Sequence, residues 1–286
     1  MTIKQIIILY KRSAYSIYFQ RPYSSFRRRA QISAEEMKRF QRMHDTHYAC
    51  LNEVERIVKK YGIPCKKVHR GRKFAVKPHD MVVTVGGDGT FLEGARALKG
   101  QIILGVNSDP SWSVGRFCFA TVKNFEFILQ AILNGKQNIS LFPRIELRAA
   151  GKRFNVLNDV LFSHHNPAAM SRYCLTVGNI KEEQKSSGVW ISTAAGSSGA
   201  IKSAGGKKLR PTEKIIQYRP RELYVGKNRV YRLKGGAVIK SNISITSMMR
   251  EGYVFVDGSH VSLAVGFGEE VRIAPSPFPL KVVCNK

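Results

Sequence analysis

The stretch Asp80-Met-Val-Val-Thr-Val85, followed directly by Gly86-Gly87-Asp88-Gly89-Thr90, decides how this chain folds. Its first six residues are almost all apolar or β-branched, which is typical of a strand buried in the middle of a parallel sheet. Residues 90–99 then repeat apolar side chains at helical spacing, so the glycines form the turn between a strand and a helix. The helix N-terminus beyond such a turn favours phosphate.

The chemistry of this turn depends on Asp88. Glycines allow a tight turn and bring a ligand against main-chain N–H groups. The spacing matches neither the Walker phosphate loop nor the dinucleotide fingerprint GxGxxG. A carboxylate placed beside phosphates must bind a metal or take a proton from an attacking hydroxyl, because otherwise it only repels the ligand. We therefore predict Asp88 as the catalytic residue and Gly87, Gly89 and Thr90 as binding residues.

The rest of the N-terminal part alternates strands and helices. Apolar runs at 3–10, 63–68 and 101–106 predict further strands. Ser33 followed by Glu36 resembles a capping box and predicts a helix start, with a second helix over 49–61. This alternation predicts a Rossmann-like parallel sheet with helices on both faces.

After about residue 137 the pattern changes to short alternating runs that are separated by turn residues. The predicted strands lie at 140–149, 154–163, 173–177, 188–193, 237–247, 253–257 and 270–274. A lone apolar run at 281–284 can return to the first sheet. The predicted fold class is α/β plus β: a nucleotide-binding domain over 1–120, to which 266–286 can return, and a β-rich, sandwich-like domain over 121–265.

The charge of the chain narrows the classes of partner that it can bind. The 286 residues carry 47 Lys and Arg against 20 Asp and Glu, a net charge of +27. Either a polyanionic partner or a basic proteome background explains this excess. Its densest spot, Arg27 to Arg29, lies among aromatic residues that suit RNA, although a solvated face is the commoner meaning.

An odd number of cysteines, five, without a CxxC pair argues against a disulfide framework and a zinc site and favours a reducing compartment. No apolar run approaches the ~18 residues of a membrane span, and the start does not read as a signal peptide, although its Arg-rich first 30 residues could imitate an organellar transit peptide. These points predict a cytoplasmic protein without a membrane.

The motifs resemble those of the NAD kinase family. The loop Gly86 to Thr90 looks like the signature that NAD kinases share with diacylglycerol and sphingosine kinases and, more distantly, phosphofructokinases. Leu157-Asn158-Asp159-Val160 resembles the second NAD kinase motif, and the Gly/Ser/Thr-rich stretch 188–206 resembles the third. Residues 105–110, 115–119 and 256–258 match in the family's order. The closest resemblance is to the plant-type NADH kinase and mitochondrial NAD kinase branch.

This resemblance implies a kinase that phosphorylates the adenosine 2′-hydroxyl of NAD⁺ or NADH with ATP or polyphosphate and Mg²⁺. Asp88 would deprotonate the hydroxyl or share a Mg²⁺ with the donor. Asn158 and Asp159 would hold ribose hydroxyls, and Phe119 would pack on adenine. A homodimer or homotetramer is also implied. The residues that would line the dinucleotide pocket are Ser187, Ser198, Gly199 and Ser203.

Four positions depart from the commoner family pattern. Asp159 stands where Glu is usual, Arg116 replaces His, Ser187 replaces Asp, and Ala200 replaces Tyr. The last two recur in the NADH kinase branch. Because a neutral hydroxyl replaces a carboxylate, we predict that NADH is accepted at least as well as NAD⁺.

Two rival functions remain open at this stage. A diacylglycerol- or sphingosine-type lipid kinase would need an apolar cleft, whereas the loop at 193–206 is small and polar. A non-catalytic, basic nucleic-acid-binding protein on a kinase fold would explain the charge. His164 and His165 are adjacent on a predicted strand and point to opposite faces, so we do not expect them to bind one metal ion. His44 and His47 lack the further ligands of a zinc site, so we expect them at the surface.

Overall fold

The computed structural model describes residues 3–20, 32–226, 230–239 and 241–284, and it divides into two compact units. The first comprises residues 1–140 and 281–286, and the second comprises 141–280. The arginine cluster at 27–29 lies outside the described residues.

The first unit is built on a sheet with strand order β2-β1-β3-β4-β19-β6, in which β5 also pairs with β4. The pairings among β1 to β5 and of β19 with β4 are parallel. Its strands are β1 Gln5–Tyr10, β2 Cys65–His69, β3 Asp80–Gly86, β4 Ile102–Asn107, β5 Ala120–Thr121, β6 Ile139–Phe142 and β19 Leu280–Val283. Its helices are α1 Ala14–Tyr18, α2 Ala34–Lys60, α3 Asp88–Arg96 and α4 Phe125–Leu133.

Helices cover both faces of this sheet because side chains alternate along each buried strand. Apolar residues of α2 and α4 share one core with Ile6, Met81 and Leu104. Helix α3 lies on the opposite face, where Gly94 allows a close approach. A Cβ at Gly94 would lie 2.9 Å from Thr84 Cγ2. The predicted α/β architecture is therefore confirmed.

The second unit contains two six-stranded sheets, ordered β11-β10-β15-β18-β7-β8 and β14-β13-β12-β9-β16-β17. The pairings within them are antiparallel. The strands of the first sheet are β7 Ile145–Ala149, β8 Lys152–Val156, β10 Ser171–Val177, β11 Ile180–Ser186, β15 Ile243–Ser247 and β18 Glu270–Pro275. Those of the second are β9 Asp159–His164, β12 Val189–Thr193, β13 Ile216–Pro220, β14 Gly236–Val238, β16 Gly252–Val256 and β17 Ser262–Val265, with the short helix α5 Ala200–Ser203 beyond β12.

One apolar core holds this unit together, since buried side chains from both sheets belong to a single cluster that includes Leu147, Phe162 and Ile245. The unit is thus a β-sandwich, as predicted. Its limits differ from the predicted boundaries of 120 and 265. Helix α4 packs on the parallel sheet and β19 pairs with β4, so only the segment beyond Leu280 returns to the first unit.

The predicted capping box at Ser33 is confirmed, and a single helix of 27 residues replaces the two expected ones. Across the described part of the chain, no helix is both long and apolar enough to span a membrane.

Candidate functional site

The carboxyl ends of the parallel strands gather the predicted catalytic loop and several polar residues. Strand β1 pairs with β2 on one side and with β3 on the other. From β1 the chain continues to β2 on one side and then crosses to β3 on the other side. The order of the strands therefore reverses between β1 and β3, which is a topological switch point. In open α/β sheets, ligands bind outside the carboxyl ends of the strands at such a point. Lys11 follows β1 there, and the Gly86–Thr90 loop joins β3 to α3.

Asp88 is the first residue of α3 and is only partly buried. Its Oδ1 atom accepts a hydrogen bond of 2.7 Å from the backbone N–H of Phe117. This bond fixes the carboxylate at the mouth of the loop. Within the described residues, the other oxygen, Oδ2, makes no hydrogen bond and is positioned to accept a proton or to bind a metal.

The glycines of this loop are required by close packing. A Cβ at Gly86 would lie 2.6 Å from Thr90 Oγ1, and one at Gly87 would lie 3.0 Å from Ser113 Oγ. Thr90 is buried, and its hydroxyl has no hydrogen-bond partner within the described part of the chain. The loop therefore presents an unused polar group directly beneath its backbone turn.

The segment after β4 forms the opposite wall of the loop. Ser108 N–H donates to the carbonyl of Gly86 at 3.1 Å. Asn107 Nδ2 donates to the carbonyl of Ser113 at 2.8 Å. Gly115 has a φ of +57°, and a Cβ there would collide with the amide of Asn107. These contacts hold residues 107–117 against the Gly-rich loop.

His47, expected at the surface, is buried beneath this region. Its Nε2 lies 2.8 Å from the Lys11 carbonyl oxygen, and its Nδ1 lies 2.9 Å from Ser108 Oγ. A carbonyl can only accept, so Nε2 carries the proton and Nδ1 accepts from the Ser108 hydroxyl. Burial lowers the pKa of His47 to about 4, which keeps the ring neutral. His47 thus joins the ends of β1 and β4, a role that helical spacing alone could not reveal.

Two cations stand beside the loop. The Lys11 side chain runs past Gly86, with its Cδ 3.7 Å from where a Cβ would be. Arg70 follows β2, and a Cβ at Gly89 would lie 2.9 Å from its Nη1. Arg70 also pairs with Glu93 of α3, with Nε 2.9 Å from Oε2. The loop therefore combines one carboxylate, a helix N-terminus and two positive side chains.

In the second unit, Asn158 and Asp159 form a buried polar cluster with Asp257 at the start of β9. Asn158 Nδ2 donates to Asp159 Oδ2 at 2.9 Å. Asp257 Oδ1 accepts from the Asn158 backbone N–H at 2.7 Å, and its own N–H donates to the Asp159 carbonyl at 2.9 Å. Burial, and secondarily the charge of Asp257, raises the pKa of Asp159 to about 7.

The loop that follows β12 packs against this cluster. The Thr193 hydroxyl donates to the Leu157 carbonyl and accepts from the Gly196 N–H. A Cβ at Gly196 would collide with the Asn158 carbonyl, whereas one at Gly199 would lie 3.6 Å from Asp159 Oδ2. The structure therefore brings the second and third motifs together.

The remaining predicted residues occupy separate positions. Ser198 is partly buried in the same loop, and Ser203 is exposed at the end of α5. Ser187 lies between β11 and β12, where its N–H donates to the Arg221 carbonyl at 3.0 Å. Since Ser192 pairs with Asp159, Ser187 lies toward the far end of β12 from the cluster. Phe119 is partly buried in the first unit, just before β5.

No group of three or more His, Cys, Asp or Glu residues able to hold a metal occurs within the described ranges. A single carboxylate at Asp88 still suits Mg²⁺, which proteins commonly bind through one or two carboxylates together with substrate phosphates.

Comparison with known proteins agrees with this geometry. Residues 17–137 match the model of the ATP-NAD kinase N-terminal domain. The chain is 34% identical over 229 residues to a probable NADH kinase of rice, covering 71% of this chain and 70% of the rice protein. It is 27% identical to the NADH kinase of Arabidopsis thaliana, covering 80% of each chain.

Two solved structures share the fold. The structure of an NAD kinase from Archaeoglobus fulgidus in complex with ATP superposes with a TM-score of 0.70 at 20% identity, covering 99% of this chain and 94% of that one. Yeast NADH kinase complexed with NADH gives a TM-score of 0.72 at 15% identity, covering 100% of this chain and 84% of the yeast chain.

Proposed function

The chain belongs to the NAD kinase family, and we propose from this premise that it transfers a phosphoryl group to the adenosine 2′-hydroxyl of NAD⁺ or NADH. The relatives named NADH kinase and NAD kinase support this activity. Neither rival function, the lipid kinase or the non-catalytic nucleic-acid-binding protein, gains support from these relatives.

The observation that carries the proposal is the placement of Asp88. Phosphoryl transfer depends mainly on positioning and on stabilising charge. A carboxylate held by the Phe117 N–H at the start of a helix has one oxygen left to orient and deprotonate an attacking hydroxyl. The backbone of Gly87 and Gly89 and the Thr90 hydroxyl would bind the substrates beside it.

The second unit supplies the groups that would recognise the dinucleotide. Asn158 and Asp159 would bind ribose hydroxyls, and Ser198, Gly199 and Ser203 would line the pocket. Under the same proposal, Ser187 would line the dinucleotide pocket and Phe119 would pack on adenine. The buried cluster around Asp257 supports it, because such a cluster fixes hydrogen-bonding groups before the ligand arrives.

The donor in this proposal is ATP or polyphosphate with Mg²⁺. When bound, Mg²⁺ neutralises negative charge on the donor phosphates. Asp88 is the residue of this chain that would hold it, as the alternative to deprotonating the hydroxyl.

We also propose a homodimer or homotetramer and a cytoplasmic, reducing location. The second of these is supported by five cysteines that are all free. Acceptance of NADH at least as well as NAD⁺ is a further part of the proposal. It rests mainly on Ala200 in place of Tyr, because Ser187, which stands in place of Asp, lies toward the far end of β12 from the Asn158–Asp159 cluster.

The test is a direct assay of the purified full chain with ATP, Mg²⁺ and either NAD⁺ or NADH, with NADP⁺ or NADPH measured as product. Sphingosine and diacylglycerol serve as competing acceptors. Phosphorylation of a lipid without NADP(H) formation, or RNA binding without any turnover, would reject the proposed function.

A further inference from the structure

We propose that Arg70 binds the phosphates of the phosphoryl donor at the N-terminus of α3. This inference deepens the proposed function by naming a binding residue that lies outside the recognised motifs. It comes from the position of Arg70 at the end of β2, two strands away from the Gly-rich loop.

The backbone places Arg70 beside the loop. Its N–H donates to the Tyr10 carbonyl at 2.7 Å, so residue 70 continues the pairing of β2 with β1. Its side chain then crosses to the first turn of α3. There a Cβ added to Gly89 would lie 2.9 Å from Nη1 and 3.4 Å from Nη2. A side chain at position 89 would therefore force the guanidinium to shift.

Glu93 fixes the orientation of this guanidinium. One oxygen of Glu93 accepts from Arg70 Nε at 2.9 Å, and the other accepts from the Gly71 N–H at 2.6 Å. Both side chains are largely buried, with 25% and 16% of their side-chain surface exposed. Within the described residues, Nε is the guanidinium nitrogen of Arg70 that donates a hydrogen bond, and it donates to Glu93. The Nη1 and Nη2 groups remain as donors for a ligand.

Two positive groups meet at this point. The N-terminus of a helix carries about half a positive charge, and Arg70, whose Nε is paired with Glu93, brings its Nη donors beside it. Gly87 caps this helix without any side-chain hydrogen bond, which leaves first-turn N–H groups for a ligand. The unpartnered Thr90 hydroxyl, 1% exposed, lies beneath the same turn. A phosphate between the guanidinium and the helix would accept hydrogen bonds from the Nη groups and from the first-turn N–H groups.

A guanidinium also suits the chemistry of a phosphoryl donor. Its planar fork binds two phosphate oxygens at once and is always charged, whereas a lysine acts as a single point charge. With Nε occupied by Glu93, the Nη edge is the one that remains for phosphate. This arrangement predicts that Lys cannot fully replace Arg at position 70.

The experiment measures binding of sodium tripolyphosphate to the full chain by calorimetry at constant ionic strength, together with KM for ATP and for NADH. The variants are Arg70→Ala and Arg70→Lys. Arg72→Ala is the matched control, because Arg72 is exposed two residues further along. Melting temperatures verify that each variant is folded.

We expect Arg70→Ala to weaken tripolyphosphate binding and to raise KM for ATP by roughly tenfold to a hundredfold, the range for lost charged hydrogen bonds. KM for NADH should stay within about twofold, and Arg70→Lys should be intermediate. Tripolyphosphate affinity that is unchanged in Arg70→Ala, or a wild type that does not bind it, would overturn the proposal, as would equal rises in both KM values.

These outcomes also separate the two proposals. Tripolyphosphate binding that depends on Arg70, in a protein without NAD(H) phosphorylation, supports the phosphate site and rejects the proposed function. Turnover that is normal in Arg70→Ala supports the function and rejects the role of Arg70.

Discussion

The two glycine-rich loops of this protein differ in how they use their polar groups. In the first unit, Asp88 is partly exposed with one oxygen held by a backbone N–H, and the Thr90 hydroxyl has no partner in the described structure. In the second unit, the side chains of Thr193, Asp159 and Asp257 are buried and hydrogen-bonded to the backbone or to Asn158. A loop with unused polar groups suits chemistry, whereas a fully bonded one suits rigid recognition.

The largest expected effect tests the first half of this comparison. Asp88→Asn keeps the size and the Oδ1 acceptor for the Phe117 N–H but removes the negative charge and the basicity. We expect kcat to fall by roughly 10²-fold or more, as for loss of a general base. KM for NADH should change little. The measurement is steady-state turnover beside Asp45→Asn, an exposed control on α2, and near-normal turnover would refute the assigned role.

The first loop was also the part that the sequence predicted well. A buried apolar strand followed by glycines and a helical repeat has few structural solutions, so β3, the turn and α3 could be located from the pattern alone. Helix α3 begins at Asp88, two residues before the predicted start at 90. The residues that support the loop could not be found in this way. His47 reaches it from α2 and Arg70 from the end of β2, where it meets Glu93 of α3, and the spacing of these residues in the chain carries no signal.

The second unit was predicted as β-rich, but several of its strands were missed. Strand β11 reads Ile-Lys-Glu-Glu-Gln-Lys-Ser, and no apolar alternation marks it. Among the described strands it is an edge strand that pairs only with β10, so charged side chains can face solvent along it. In the first unit, helix α4 was missed as well, although its buried face packs on the parallel sheet. Register and edge position depend on tertiary pairing, which local patterns do not encode.

The second prediction tests the rigidity of the bonded loop. Gly196→Ala would press a methyl group against the Asn158 carbonyl and within 2.7 Å of Ser192 Oγ. We expect a loss of about 1–3 kcal/mol in the free energy of unfolding, as for overpacking of a core, together with a higher KM for the dinucleotide. Gly100→Ala is the control, because nothing lies within 4 Å of its added Cβ.

Denaturant unfolding of both glycine variants gives the comparison. If Gly196→Ala is as stable as Gly100→Ala and binds the dinucleotide normally, then the loop yields easily and the contrast between the two loops is wrong.

A third, smaller effect concerns pH. Burial raises the pKa of Asp159 from 3.8 to about 7, so the folded chain holds this proton more tightly than the unfolded chain. Through this group, stability falls as pH rises between these two values and is level above about 7. Asp159→Asn removes the titration, so its stability relative to wild type should improve on going from about pH 5 to about pH 8.

Unfolding curves at these two pH values check this expectation, with Asp109→Asn as a control carboxylate outside the buried cluster. A difference between Asp159→Asn and wild type that does not vary with pH would mean that Asp159 titrates as an ordinary carboxylate. The cluster of Asn158, Asp159 and Asp257 would then be less buried in solution than its hydrogen bonds indicate.

The smallest expected effect concerns redox preference, and here the structure sharpens the sequence argument. An Asp at position 187 should favour the cationic ring of NAD⁺ only if it lies near that ring. Ser187 stands just outside β12, five residues before Ser192, the partner of Asp159, so an extended chain would separate the two sites by roughly 16 Å. At this distance in water, a unit charge contributes about 0.3 kcal/mol before salt screening. We therefore expect Ser187→Asp to change the ratio of kcat/KM for NADH and NAD⁺ by less than about twofold.

Ala200→Tyr, beside Gly199 in the bonded loop, is the comparison variant and should alter the ratio more. A shift of tenfold or more toward NAD⁺ in Ser187→Asp would place that side chain against a nicotinamide ring and would show that dinucleotide recognition is not confined to the loop around Asn158.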